Sequence, residues 1–171
     1  LIASAIGLAP GFTAARANLA TVLYKQNRPA EALAELESIE REGAAHLGHH
    51  SLKAAALGRL GGHEEALALY RQILDTRPDE AKIWMSYGHI LKTVGRTEEG
   101  IAAYRRSITI RPGLGEAWWS LANLKTYRFT DDEITRMQAA EAQRAVATVD
   151  HYHLCFALGK ALEDRGDYAA S

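Results

Sequence analysis

Apolar residues along this chain fall on helical stripes. Trp84, Tyr87, Gly88 and Leu91 stand at i, i+3, i+4 and i+7, one face of an amphipathic helix. Gly100, Tyr104 and Ile108 make a second stripe at i, i+4 and i+8. Between the stripes, Gly95 tolerates positive φ and is expected to end the first helix and turn the chain. Pro112 follows the second stripe, where a helix cannot readily continue. No alternating apolar and polar run competes as a strand. The pattern predicts antiparallel helix pairs, a helix A and a helix B, in an all-α chain.

The same features return on a fixed step. Trp84 and Trp118, Gly61 and Gly95, Ala32 and Ala66, and Tyr70 and Tyr104 are each 34 residues apart. Asn27 precedes Gly61 by the same interval, Leu23, Leu57 and Leu91 form another row, and Pro10, Pro78 and Pro112 keep the register. Self-similarity at this length marks a stacked repeat protein. One array over 1–171 is expected, with 1–12 the end of a preceding helix B. Repeats follow at 13–46, 47–80 and 81–114, then an irregular repeat at 115–151 and a partial one at 152–171. Small residues recur where helix A should meet helix B (Ala20, Ala54, Gly88, Ala122, Gly159) and within helix B (Ala32, Ala66, Gly100, Ser171). They let paired helices approach closely while Trp84, Trp118, Tyr70 and Tyr104 fill the remaining space. The expected architecture is a right-handed superhelical solenoid of antiparallel helix pairs.

The irregular unit has its own signals. Phe129 replaces the turn glycine, and Thr130-Asp131-Asp132-Glu133 reads as a capping box, flanked by Phe129 and Ile134 as a hydrophobic staple. The register then returns three residues late, since Gly88 to Gly159 is 71 rather than 68. A longer helix B or an extended loop before His151 is expected to absorb the difference.

Trp84-x2-Tyr87-Gly88-x2-Leu91, Gly95, Gly100, Tyr104 and Pro112 resemble the tetratricopeptide repeat, whose signature they match nearly position for position. The resemblance covers essentially the whole chain, closest over 47–114 and degenerate over 115–151. Lys53 departs from it, standing where a large apolar residue is expected; either its stem snorkels or that helix is rotated. Residues 117–129 (AWWSLANLKTYRF) and 153–168 (HLCFALGKALEDRGDY) are similar to the last repeats of bacterial proteins that fuse such an array to a sulfotransferase domain. That resemblance implies a following catalytic domain using 3′-phosphoadenylyl sulfate (PAPS). Within these residues nothing resembles its phosphate loop, and Gly61-Gly62 reads as a helix-pair turn. The chain is therefore read as an N-terminal, non-catalytic repeat region of a larger protein, with any enzyme lying beyond Ser171.

Composition narrows the partners. Twenty Lys+Arg against 21 Asp+Glu leave a formal charge of −1, so no global field favours nucleic acid or an anionic membrane. The single Cys155 excludes an internal disulfide framework and suits a reducing, cytoplasmic setting. No apolar run approaches the roughly 20 residues of a spanning helix. Leu1-Ile2-Ala3-Ser4-Ala5-Ile6-Gly7 lacks a basic flank and reads as the tail of a truncated helix.

Candidate chemistry is sparse. His46 and His50 have a helical i, i+4 spacing that can ligate zinc, but no further ligand completes the set within that turn, and His46, His49 and His50 read as a solvated polar face. Cys155 falls at a core position of helix A without a partner base, which predicts a buried, inert thiol. Glu64-Glu65, Glu98-Glu99 and Asp131-Asp132-Glu133 belong in first turns, where they complement the helix dipole. No catalytic residue, metal or cofactor is expected. A recognition surface is expected on the concave wall that helix A lines in the family the chain resembles. The second, fifth and ninth residues of each unit share one stripe. They read Lys82, Met85 and His89; Glu116, Trp119 and Asn123; His153, Phe156 and Lys160 in the last three units, against Ala14, Ala17 and Thr21 in the first. Accessible aromatics beside hydrogen-bonding groups suit a peptide or protein ligand, or the protein's own downstream domain. Packing between adjacent A helices would use the same aromatic row. The function expected is a protein-interaction scaffold; the alternative is the substrate-positioning region of a PAPS-dependent sulfotransferase.

Overall fold

The computed structural model describes residues 12–142 and 147–166, and every regular element among them is helical. The helix end expected within 1–12 and Ser171 of the partial repeat lie outside the described residues, apart from Phe12. The chain divides into two units, 1–78 and 79–171. The first holds α1 (Thr13–Lys25), α2 (Pro29–Arg41), α3 (Leu47–Arg59) and α4 (His63–Thr76). The second holds α5 (Ala81–Thr93), α6 (Thr97–Ile110), α7 (Gly115–Ala122), α8 (Asp131–Glu141) and α9 (Thr148–Glu163).

Three turns at the predicted positions close the helix pairs in the same way. Asn27, Gly61 and Gly95 take φ of 59°, 88° and 81°, the left-handed region. The amides of Arg28, Gly62 and Arg96 each reach back 2.9 Å to the carbonyls of Leu23, Leu57 and Leu91. This is the Schellman arrangement, in which a left-handed residue turns the chain and the following amide satisfies an orphan carbonyl. Helix B ends by a different device. Arg77 and Arg111, the residues before Pro78 and Pro112, both have φ −135° with ψ 71° and 87°, because a following proline excludes the helical basin. Ala44 occupies the matching place after α2, and there Gly43 at φ 68° ends the helix instead.

In the first unit, consecutive helices pack against one another. Ala20, Leu23, Ala32 and Leu36 form a buried cluster with Leu19, Tyr24 and Leu52 against it. Lys53 snorkels: it lines a shallow cleft with Leu57 and Leu69, and its ammonium reaches Glu40 Oε2 at 2.6 Å. In the second unit, a larger core gathers Tyr104, Trp118, Leu121, Met137 and Leu154. Gly88 lets α5 meet α6, since a Cβ there would stand 2.8 Å from Cε1 of Tyr104.

The irregular repeat departs from expectation. α7 stops at Ala122 after 8 residues, and its close contact moves to its first residue. A Cβ on Gly115 would collide with the Asp150 backbone of α9, and the Asp150 carboxylate accepts the Gly115 amide at 3.1 Å. The helix B that Gly159 is expected to meet lies outside the described residues, and Ala122 is only partly buried. Helix B is not lengthened: α8 has 11 residues against 14 in α4 and α6. α9 begins at Thr148, so His151 lies inside its first turn, and residues 143–146, where an extended loop would fall, lie outside the described residues. The capping box forms as read. Thr130 Oγ1 accepts the Glu133 amide at 3.3 Å, and Glu133 Oε2 accepts the Thr130 amide at 3.0 Å. Phe129 and Ile134 join the same core.

Two substitutions test these helix ends by denaturant titration. Gly95→Ala puts a methyl into open space, so its cost is that of a left-handed backbone alone, about 1–2 kcal/mol; an unchanged midpoint would mean the turn readily relaxes. Thr130→Ala removes the cap of α8 and should cost about 0.5–2 kcal/mol. A midpoint equal to wild type would show that α8 starts elsewhere.

Candidate functional site

The nine candidate residues all lie in the second unit, on α5, α7 and α9 or at the end of α7. Successive residues on a helix point about 100° apart, which separates the two adjacent tryptophans. Trp118 is 0% exposed, and its indole Nε1 donates to the Pro112 carbonyl at 2.8 Å. Trp119 is 42% exposed, and its ring lies 5.5 Å from that of His153 on α9. One turn earlier on α7, Glu116 approaches His89 Nε2 of α5 at 3.8 Å, an ion-pair separation when the ring is protonated. The other His89 nitrogen, Nδ1, is 2.9 Å from the Tyr104 hydroxyl. Burial pushes Tyr104 up to about 12, so the hydroxyl keeps its proton at neutral pH. When it donates to Nδ1, the neutral ring carries its proton on Nε2, facing Glu116.

These contacts bring together His89, Glu116, Trp119 and His153. The Glu116 carboxyl is held below its ordinary range chiefly by His89, against the opposing effect of partial burial, with His153 and Lys82 adding to the lowering. The remaining candidates are placed differently. Met85 is 8% exposed and belongs to the core, as the alternative packing reading of that row allows. Asn123 turns its amide back to the Trp119 carbonyl at 2.9 Å, and Lys160 pairs with Asp164, so both are engaged along their own helix or its end. Phe156 is 56% exposed and packs edge-on against exposed Tyr152 at 4.9 Å. In the first unit, Ala14 and Thr21 are exposed and Ala17 is partly so; the Thr21 hydroxyl bonds the Ala17 carbonyl.

Within the histidine cluster of the first unit, His46 and His49 form a helix cap, with His46 exposed, His49 buried and His50 partly exposed. His46 Nδ1 accepts the Gly48 amide at 3.1 Å, His49 Nδ1 accepts the His46 amide at 3.3 Å, and the two rings stack at 3.6 Å. His49 is buried, and burial followed by the neighbouring His46 and His50 lowers its pKa. The first-turn carboxylates stand where read, at the starts of α4, α6 and α8. Cys155 is not the buried, isolated thiol expected: it is exposed, and it has a basic neighbour in His151 Nε2 at 3.8 Å. The face on which it sits is not the one packed into the core, which Leu154 and Ala157 supply.

One polar network escaped sequence reading. Glu133, only 7% exposed, accepts Tyr127 Oη at 2.5 Å and Arg105 Nε at 3.0 Å. Burial raises the Glu133 pKa, but Tyr127, the Thr130 amide and Arg105 together lower it further than burial raises it. Glu133 was visible as a capping residue; Arg105 and Tyr127, 28 and 6 residues away, carry no sequence signal that joins them to it.

A family model described as tetratricopeptide repeat matches residues 1–111. No curated protein matches the sequence significantly. Among solved structures, the chain is similar to TTC0263 of Thermus thermophilus, a thermophilic tetratricopeptide repeat protein. The TM-score is 0.70 and the identity 18%, over 92% of this chain and 87% of that one. It is also similar to MamA, with TM-score 0.64 and 14% identity over 99% and 88% of the two chains. YrrB, described as a tetratricopeptide repeat protein with an unusual peptide-binding site, matches with TM-score 0.59 and 15% identity over 99% and 77%. At these identities the likeness concerns the fold. The all-α, tetratricopeptide-like architecture expected from the sequence is thus present, and no helix among the described residues is long and apolar enough to cross a membrane.

The two tryptophans should separate in stability measurements. Trp118→Ala should cost about 3–5 kcal/mol and Trp119→Ala no more than about 0.5 kcal/mol; equal losses in urea unfolding would contradict the placement. Glu116 gives a pH test. A carboxyl depressed in the folded state adds stability that is fully present above its unfolded value of about 4.3 and is lost as pH falls through the lower folded value. Glu116→Gln should therefore flatten the acid limb of a plot of unfolding midpoint against pH, and superimposable limbs would refute the assignment.

Proposed function

Because the chain belongs to the tetratricopeptide repeat family, we propose that it is an interaction scaffold without catalytic function of its own, and that the α5–α7–α9 wall of the second unit docks a peptide or protein segment. The observation that carries this reading is Trp119, an accessible indole set against His153 and one turn from a carboxylate whose ionised form His89, His153 and Lys82 favour. An aromatic ring supplies apolar area at low entropic cost, and Glu116 supplies an acceptor that orients what lies on it. The ligand that fits presents an apolar or aromatic side chain beside a hydrogen-bond donor. The peptide-binding site named for YrrB supports the reading by analogy of fold.

A second reading rests on the sequence likeness of residues 117–129 and 153–168 to repeats fused to sulfotransferases. In it, the same wall holds a domain or substrate of a PAPS-dependent enzyme encoded with the array. A glycine-rich basic phosphate loop in the downstream coding sequence would favour this version, and further repeats there would count against it.

Peptides selected on the protein from a random displayed library provide the direct test. Trp119→Ala should weaken their binding by about tenfold or more, the loss expected of a hot-spot residue, while Thr21→Val in α1 leaves it unchanged. Full affinity in Trp119→Ala, measured by calorimetry, would remove the wall from consideration.

A further inference from the structure

We propose that Glu141, His151 and Cys155 form a binding site for a zinc-class divalent cation, separate from the wall above. Glu141 is the last residue of α8, and His151 and Cys155 lie one turn apart on α9. His151 Nε2 is central: it is 3.7 Å from Glu141 Oε1 and 3.8 Å from Cys155 Sγ. All three donor atoms lie within 4.8 Å of one another. A tetrahedral cation with bonds of about 2.0–2.3 Å holds its donors roughly 3.3–3.7 Å apart. The two spacings to His151 therefore need adjustments of a few tenths of an ångström and the Glu141–Cys155 spacing up to about 1.3 Å, within reach of half-exposed or exposed side chains.

The chemistry of the donors selects the ion. Imidazole and thiolate suit zinc, whereas magnesium and calcium take oxygen sets. The i, i+4 pair puts His151 and Cys155 on one face of α9, and the third ligand comes from a different helix, so coordination would tie the end of α8 to α9. An imidazole–carboxylate ion pair needs only His151 and Glu141, and an activated thiol needs only His151 and Cys155; neither uses all three of the donors that lie within 4.8 Å of one another. Three protein ligands leave a fourth coordination position for water or for a donor from a bound partner. The His46/His50 pair, by contrast, has His46 Nδ1 engaged in the α3 cap and His50 Nδ1 turned to Glu40 at 3.4 Å.

The test is a cobalt(II) titration of the untagged protein under reducing conditions, followed by displacement with zinc. Wild type should bind a single equivalent with a thiolate-to-cobalt charge-transfer band and the intense visible bands of a tetrahedral site, and zinc should abolish both. Cys155→Ser should lose the charge-transfer band. His151→Ala and Glu141→Ala should weaken binding at least about tenfold, since changes even outside the ligand shell cost that much, while His50→Ala leaves it unchanged. Bound zinc should also raise the melting temperature of wild type but not of Cys155→Ser. A sulfur-free, octahedral cobalt spectrum, binding that survives both Cys155→Ser and His151→Ala, or binding lost in His50→Ala would each overturn the proposal.

Discussion

The helix pairs of this protein depend on one short connection. Helix A must reverse direction within a few residues while its last carbonyls and the next helix's first amides both find partners. The left-handed residues Asn27, Gly61 and Gly95 make the reversal, and the residue after each one serves twice. The amides of Arg28, Gly62 and Arg96 close the preceding helix on Leu23, Leu57 and Leu91, and the same residues are the N-caps of α2, α4 and α6. None of the three has a side-chain capping bond, and Glu31, Glu64–Glu65 and Glu98–Glu99 stand in the first turns to complement the dipole. Arg28 and Arg96 also hold Glu31 and Glu99 through paired contacts of 2.6 Å. With the turn so tight, a small residue is needed where a large side chain crosses the pair, which is the role of Gly88 beneath Tyr104.

Where that connection is missing, the local structure is rebuilt. α7 ends on Asn123 in the right-handed region at φ −79°, and buried Leu124 and Tyr127 follow before Thr130 starts α8. A side-chain cap replaces the backbone device. Glu133 is then drawn into the interior, where one oxygen holds the helix start and the other meets Tyr127 and Arg105. A carboxylate so buried is tolerated because its bonds are made. α7 meanwhile packs on α9, at a separation that requires glycine at position 115.

The candidate wall follows from this packing. Trp118 fills the core, with Phe129 and Arg136 against its ring, and its burial fixes the rotation of α7. That rotation leaves Trp119 and Glu116 on the outward side, with His153 of α9 and His89 of α5 brought to them. The accessible constellation is thus a by-product of how the core tryptophan is seated. Glu141, His151 and Cys155 meet on α9 and at the end of α8, outside this constellation.

The sequence by itself determined the helix pairs of the regular repeats, their turns and the division between Trp118 and Trp119. Each is a local matter: a left-handed position needs glycine or asparagine, a proline excludes the helical basin before it, and 100° per residue fixes which side chains share a face. The capping box of α8 was legible for the same reason. Only the tertiary structure decided that Met85 is core rather than wall, and that Cys155 faces solvent. The heptad-like spacing names a stripe, but which side of the stripe is covered depends on the neighbouring helix. It likewise decided the start of α9 ahead of His151 and the meeting of Arg105 with Tyr127 and Glu133. The joining of Glu141 to His151 and Cys155 was settled at the same level. Those pairings arise between residues of different helices or loops, set by how α6, α7, α8 and α9 pack, and no periodicity along the chain encodes such a distance.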